Sequence, residues 1–238
     1  MESYYHRSKN IANSYLFILP LLVLYETGIA LQGSGIKNAS GVFIEKIFTL
    51  FGKNGSLIFN FLVIVFFLIS AIYVEKKHKL DLLTFIFMFL ESVVYALFIG
   101  NVIGYVVYKL LFPCALARPF SVNMWLGIIL SIGAGVYEEI VFRLLLIKLL
   151  CFVFATLLKI SKPMSATISV MTGALLFAAM HYVGSLGDVL TDTNFTFRAL
   201  SGVVLATIFL SRGLGVAVYT HAIYDVLSVL KPFHVSGG

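Results

Sequence analysis

The sequence predicts an all-α fold, a polytopic transmembrane helix bundle of seven or eight membrane helices around a buried polar cavity, and three observations carry that prediction. Of 238 residues, 60% are apolar and only 12% are charged, and the mean hydropathy is +1.01. Such a chain has too little polar surface to face water, which excludes an ordinary soluble domain. Its apolar residues are gathered into stretches close to the roughly 20 residues needed to cross a bilayer. Ionisable residues also recur inside these stretches, where they require an interior that shields them from lipid.

The stretches are Ser14–Leu31, Leu57–Val74, Leu82–Leu111, Val122–Ile147, Pro163–Val183, Phe197–Leu210 and Leu214–Leu230. The third and fourth exceed the length of a perpendicular span, so they tilt, kink or project from the bilayer. The sixth is short. Leu149–Leu158 reads either as an interfacial segment or as a continuation of the fourth. Pro20 and the glycines are compatible with membrane helices. Residues 1–10 are polar and precede a run of spanning length with no clear A-x-A site, so the first stretch reads as an uncleaved span. Gly41–Phe51, apolar around Glu45 and Lys46, suits a short helix lying on the outer surface. The division that follows is 1–121 as N-terminal transmembrane helices and 122–238 as the helical core bearing the chemistry, together one membrane domain.

A net charge of +6 would suggest nucleic acid in a soluble chain. Here the basic residues lie mostly between apolar runs, where they orient the protein, so the expected partner is membrane lipid and not nucleic acid. The short Glu75-Lys76-Lys77-His78-Lys79 segment and Arg7 and Lys9 place the N-terminus in the cytoplasm. On that assignment nine Lys/Arg face in (7, 9, 76, 77, 79, 148, 159, 162, 212) and seven face out (37, 46, 53, 109, 118, 198, 231). Cys114 and Cys151 fall at opposite ends of one predicted span, too far apart for a disulfide.

Glu138, Glu139 and Arg143 lie well inside the fourth stretch. Each ionised group facing lipid at mid-bilayer costs about 2.5 to 3.5 kcal/mol, or roughly 8 to 10 for the three, so they face protein or a water-filled cavity. Helical spacing puts Glu139 and Arg143 on one face, with Glu138 rotated by about 100°. The arginine can neutralise one glutamate and leave Glu138 free as the candidate general base. The same three residues would also serve as a structural ion network. His181, late in the fifth stretch, would by itself read equally as a packing residue. His221 and Asp225 are four apart on the last stretch, where the carboxylate can orient the imidazole. Three helices thus contribute ionisable groups, and one shared cavity satisfies them all. Glu26, Glu91 and Asn101 are further intramembrane polar residues, the last two read as structural. No G-x-S-x-G or Ser/Lys arrangement stands out.

In order, the chain carries Glu138-Glu139-Ile140-Val141-Phe142-Arg143, then Phe177 through His181, then His221 through Asp225. This E-E-x-x-x-R, F-x-x-x-H and H-x-x-x-N/D series resembles the CAAX proteases and bacteriocin-processing enzymes, the ABI family, which includes the type II CAAX prenyl endopeptidases. The resemblance covers about residues 122 to 230. It implies a catalytic cavity and a glutamate-type intramembrane endopeptidase that needs neither metal nor cofactor. Its substrate would be a peptide or a membrane-anchored protein, and its setting a prokaryotic plasma membrane. By the same resemblance Glu138, aided by His181, activates water, and His221 with Asp225 stabilises the oxyanion. Glu139 and Arg143 support the site from behind. The departure is Asp225, because members closest to the prenyl proteases carry Asn there and an ionised Asp cannot donate a hydrogen bond. A protonated Asp225 would donate as Asn does.

Three other functions fit parts of the pattern. A non-catalytic immunity or partner-binding membrane protein could retain the network for stability. A proton-coupled transporter also uses intramembrane Glu, His and Asp, although no inverted repeat is visible. A zinc peptidase could use His181, His221 and a carboxylate, but no H-E-x-x-H is present.

Overall fold

The computed structural model describes residues 3–32, 61, 65, 69, 72, 82–111, 123–183 and 189–230. Among these residues the chain is all helical, with no strand. A short helix α1 (Tyr4–Lys9) leads into α2 (Ile11–Gln32). Then come α3 (Leu82–Leu111), α4 (Met124–Leu157), α5 (Lys162–Met180), α6 (Asp192–Arg212) and α7 (Leu214–Leu230). Helices α2 to α6 are each long and apolar enough to cross a membrane, and α7 is a shorter apolar helix. The protein is an integral membrane protein. The expected surface helix at 41–51, most of the second stretch and Cys114 lie outside the described residues.

Two expectations about length are resolved. Leu149–Leu158 continues the fourth span, since α4 runs unbroken for 34 residues. At about 1.5 Å per residue it is roughly 50 Å long, far beyond the hydrocarbon core, so it must tilt or project. The sixth span is not short. It extends from Asp192 to Arg212, 21 residues, because charged side chains that bounded the apolar run lie within the helix. Its first turn is capped by Thr191, whose Oγ1 accepts from Asn194 N.

Helix α7 is the centre of the bundle. Every residue from Leu214 to Ala222 is buried, and α7 packs against α2, α3, α4 and α6. Its approach to α4 is backbone to backbone. A Cβ placed on Gly135 would lie 2.6 Å from Ala222 Cβ and 2.7 Å from Ala222 N. Small residues at a crossing allow this approach in lipid, where packing rather than water exclusion drives association. Large apolar side chains such as Leu82, Phe87, Leu90 and Val94 of α3 point outward, as a lipid-facing surface requires.

Helix α4 is not uniformly α-helical. Its first α-helical part ends at Glu138 and α-helix resumes over Lys148–Phe152, with Glu139–Ile147 between them π-helical. Such wider turns often coincide with functional positions. The two adjacent glutamates therefore stand on either side of a change in helical geometry.

Candidate active site

Glu139 is fully buried, and Arg143 and Glu138 are nearly so. Arg143 Nη1 lies 3.0 Å from Glu139 Oε1, the pairing that the four-residue spacing predicts. The Arg143 guanidinium also sits 4.3 Å from the centroid of the Phe177 ring, a desolvated cation–π contact. Phe177 meets Phe142, His181 and His221 edge-on as well, at centroid distances of 5.3, 4.8 and 5.9 Å. One aromatic ring thus joins α4, α5 and α7 at the level of the ionisable cluster.

The structure reveals a contact that the sequence reading did not assign. Glu139 Oε1 is 2.8 Å from His221 Nδ1. A carboxylate held by Arg143 accepts hydrogen bonds, so Nδ1 carries a proton and donates it. The other nitrogen, Nε2, faces Asp225 Oδ2 at 3.4 Å and Glu138 Oε2 at 3.9 Å. Asp225 does approach His221 as its spacing suggests, but Glu139 makes the shorter contact.

His181 caps the C-terminus of α5. Its Nδ1 lies 2.8 Å from Phe177 O. A carbonyl can only accept, so Nδ1 is again the protonated nitrogen and Nε2 is turned toward Glu138 Oε2, 3.6 Å away. Neither imidazole is close enough to Glu138 for a direct hydrogen bond. Glu138 Oε2 is buried without a hydrogen bond to any described residue. A buried polar atom left in this way is costly, and natural proteins keep few of them. The spacing leaves room for a small polar group to bridge the carboxylate and the two rings.

His181 and Asp225 are the more open members, with side chains 20% and 29% exposed. Glu138, Glu139, Arg143 and His221 form the closed side. All six residues selected from the sequence therefore meet in one cluster. Among the described residues, no group of three or more His, Cys, Asp or Glu is arranged to hold a metal ion.

Arg198 was missed. The sequence reading counted it only among the outward-facing charges; it stands in α6 with its guanidinium 5.8 Å from the Tyr182 ring centroid. Its charge acts on both Glu138 and Asp225. The signal was a cation inside the sixth apolar stretch, Phe197–Leu210, counted only for topology. Glu26 is engaged too: Tyr137, adjacent to Glu138, donates from Oη to Glu26 Oε1 at 2.5 Å and so fastens α4 to α2. Asn101 bonds its own helix, from Nδ2 to Leu97 O.

No curated protein and no solved structure matches the chain. Residues 120–227, which contain Glu138, Glu139, Arg143, His181, His221 and Asp225, match the family model described as type II CAAX prenyl endopeptidase Rce1-like, and this match supports the CAAX-protease resemblance.

Proposed function

We propose that the protein is a glutamate-type intramembrane endopeptidase that hydrolyses a peptide bond of a membrane-associated protein or peptide without a metal. The observation that supports this most directly is Glu138 Oε2, buried and without a hydrogen bond to any described residue, facing the Nε2 atoms of His181 and His221 at 3.6 and 3.9 Å. Glu138, aided by His181, takes a proton from water as the water oxygen bonds to the scissile carbonyl carbon. The carbonyl π electrons move onto oxygen, and His221 with Asp225 stabilises the resulting oxyanion. Because Nδ1 of His221 is committed to Glu139, donation to the oxyanion falls to Nε2, which must then carry a proton. Collapse of the intermediate breaks the C–N bond, and Glu138 returns its proton to the leaving amine. Glu139 and Arg143 hold His221 and Phe177 in place. Residues 122–238 form the catalytic core and residues 1–121 its N-terminal helices, with the N-terminus in the cytoplasm.

The test uses purified protein in detergent with two quenched fluorogenic peptides, one ending in a farnesylated CAAX sequence and one unprenylated. Wild-type protein should cleave at least one. Glu138→Gln keeps the shape and loses the base, so it should melt like wild type and show no turnover. Full activity in folded Glu138→Gln protein overturns the mechanism.

A further inference from the structure

Glu91 stands within α3, in a span where a carboxylate left to lipid is costly, and the candidate active site does not use it. Arg212, in the last turn of α6, meets it with two nitrogens: Nε is 2.5 Å from Oε1 and Nη2 is 2.9 Å from Oε2. Tyr95 Oη donates to Oε1 at 3.0 Å, and Tyr4 Oη, from α1, donates to Oε2 at 2.6 Å. The guanidinium also lies 5.0 Å from the ring centroids of Tyr4 and Tyr5. Burial first, and then the Glu91 carboxylate, pushes the Tyr4 phenol up, which keeps it a donor.

This cluster sits where α7 begins. Only Gly213 separates Arg212 from Leu214. Its φ is +94°, and a Cβ there would lie 3.0 Å from Lys9 Cα and from Ser8 O. The junction is therefore pressed against α1 in a backbone conformation suited to glycine. The same elements grip the first turns of α7. Ser92 Oγ, next to Glu91, donates to Met88 O at 2.8 Å and lies 3.2 Å from Val216 O, a second and longer branch that reaches α7, and Phe17 of α2 stacks on Tyr219 with ring centroids 3.9 Å apart.

His221 follows Leu214 by roughly two helical turns, about 10 Å along the axis, so it inherits the height and rotation of the helix start. A one-residue slip would turn the ring by about 100° and shift it by about 1.5 Å. That would break the 2.8 Å contact with Glu139. Tyr4, Phe17, Glu91 and Ser92 all lie outside the matched residues 120–227.

We propose that the Glu91–Arg212 pair, closed by Tyr4 and Tyr95, is a positioning cluster that sets the start of α7 and so places His221 against Glu139. The catalytic consequence rests on the peptidase reading, whereas the placement of His221 does not. The test therefore reads both, on the full chain in detergent with 15N-labelled histidine. The variants are Glu91→Gln, Arg212→Gln, their double, Arg212→Lys and Tyr4→Phe, with the His221 imidazole signals assigned by their loss in His221→Gln.

Arg212→Gln and Glu91→Gln should lower kcat about ten- to a hundredfold, as expected for a small misplacement of a reacting group, with KM changed by less than about twofold. The His221 imidazole signals should shift while those of His181 stay, the double variant should lose no more than either single one, and Arg212→Lys should recover part of the loss. Where Arg212→Gln does not fold, Tyr4→Phe, which removes one hydroxyl, carries the same readings at smaller size. Unchanged His221 signals in every folded variant, even with lowered melting temperatures, make the cluster a stability element only and overturn the proposal. Should Glu138→Gln turn over as wild type does, the peptidase reading falls, and the His221 spectra still decide the placement.

Discussion

His221 donates from Nδ1 to Glu139 Oε1 at 2.8 Å, while its Nε2 looks toward Glu138 Oε2 at 3.9 Å. Two neighbouring carboxylates of α4 thus address the two nitrogens of one ring on α7. One fixes the tautomer, and the other faces the remaining nitrogen as it faces Nε2 of His181. This division of labour makes the adjacent glutamates unequal, and each of the following outcomes tests a part of it.

Arg143→Ala should damage the fold more than Glu138→Gln does. It removes the ion pair to Glu139 and the guanidinium over Phe177, leaving a buried carboxylate that, among the described residues, has His221 alone for a partner. Breaking a buried pair typically costs about 3 to 5 kcal/mol. Thermal melts of both variants in the same detergent check this, and equal melting temperatures would contradict the pairing.

Asp225→Asn should keep much of the activity and Asp225→Ala should lose most of it. A protonated Asp and an Asn have similar shape and both donate, whereas Ala leaves the oxyanion and His221 Nε2 without the group now 3.4 Å away. Turnover of both variants is measured across pH. Equal inactivity at every pH, in folded protein, rules out the donor role.

Gly135→Ala should separate α4 from α7. The added methyl would meet the Ala222 backbone at 2.7 to 2.8 Å, and backbone cannot rotate away as a side chain can. Overpacking of this kind costs about 1 to 3 kcal/mol, and the separation would also pull His221 from Glu139. Lowered melting temperature and lost turnover are expected together. Gly104→Ala is the control, because its Cβ meets nothing within 4 Å and alanine is the better helix former. A Gly135→Ala protein as stable and active as the Gly104→Ala protein would refute the close crossing.

Turnover should survive exhaustive chelation, since the proposed mechanism assigns the water to Glu138 and His181 alone. Purified active protein is dialysed against a strong chelator, its metal content measured, and the peptide assay repeated. Activity that disappears with stoichiometric zinc and returns with it would move the assignment to a zinc peptidase.

The sequence by itself determined that the chain is a membrane helix bundle and which ionisable residues lie inside its apolar stretches. Apolar runs of spanning length leave a backbone no alternative to the helix in lipid, and an ionisable residue inside such a run must find a protein partner. Glu138, Glu139, Arg143, His181, His221 and Asp225 were legible for that reason. The four-residue spacings of Glu139 with Arg143 and of His221 with Asp225 predicted contacts that form, because both partners lie on one helix.

What the tertiary structure decided lies between helices. No local spacing relates Glu139 to His221, 82 positions apart, or Glu91 to Arg212, 121 apart. The π-helical turn at Glu139 and the backbone contact of Gly135 with Ala222 likewise depend on how α4 meets its neighbours. Arg198 and Arg212 show the cost of reading charge locally. Both were counted for topology alone, yet Arg212 pairs with Glu91 and the Arg198 guanidinium lies 5.8 Å from the Tyr182 ring centroid. A charge near the end of a span can also hold a partner within the bundle, and no local spacing reveals a partner that stands elsewhere in the chain.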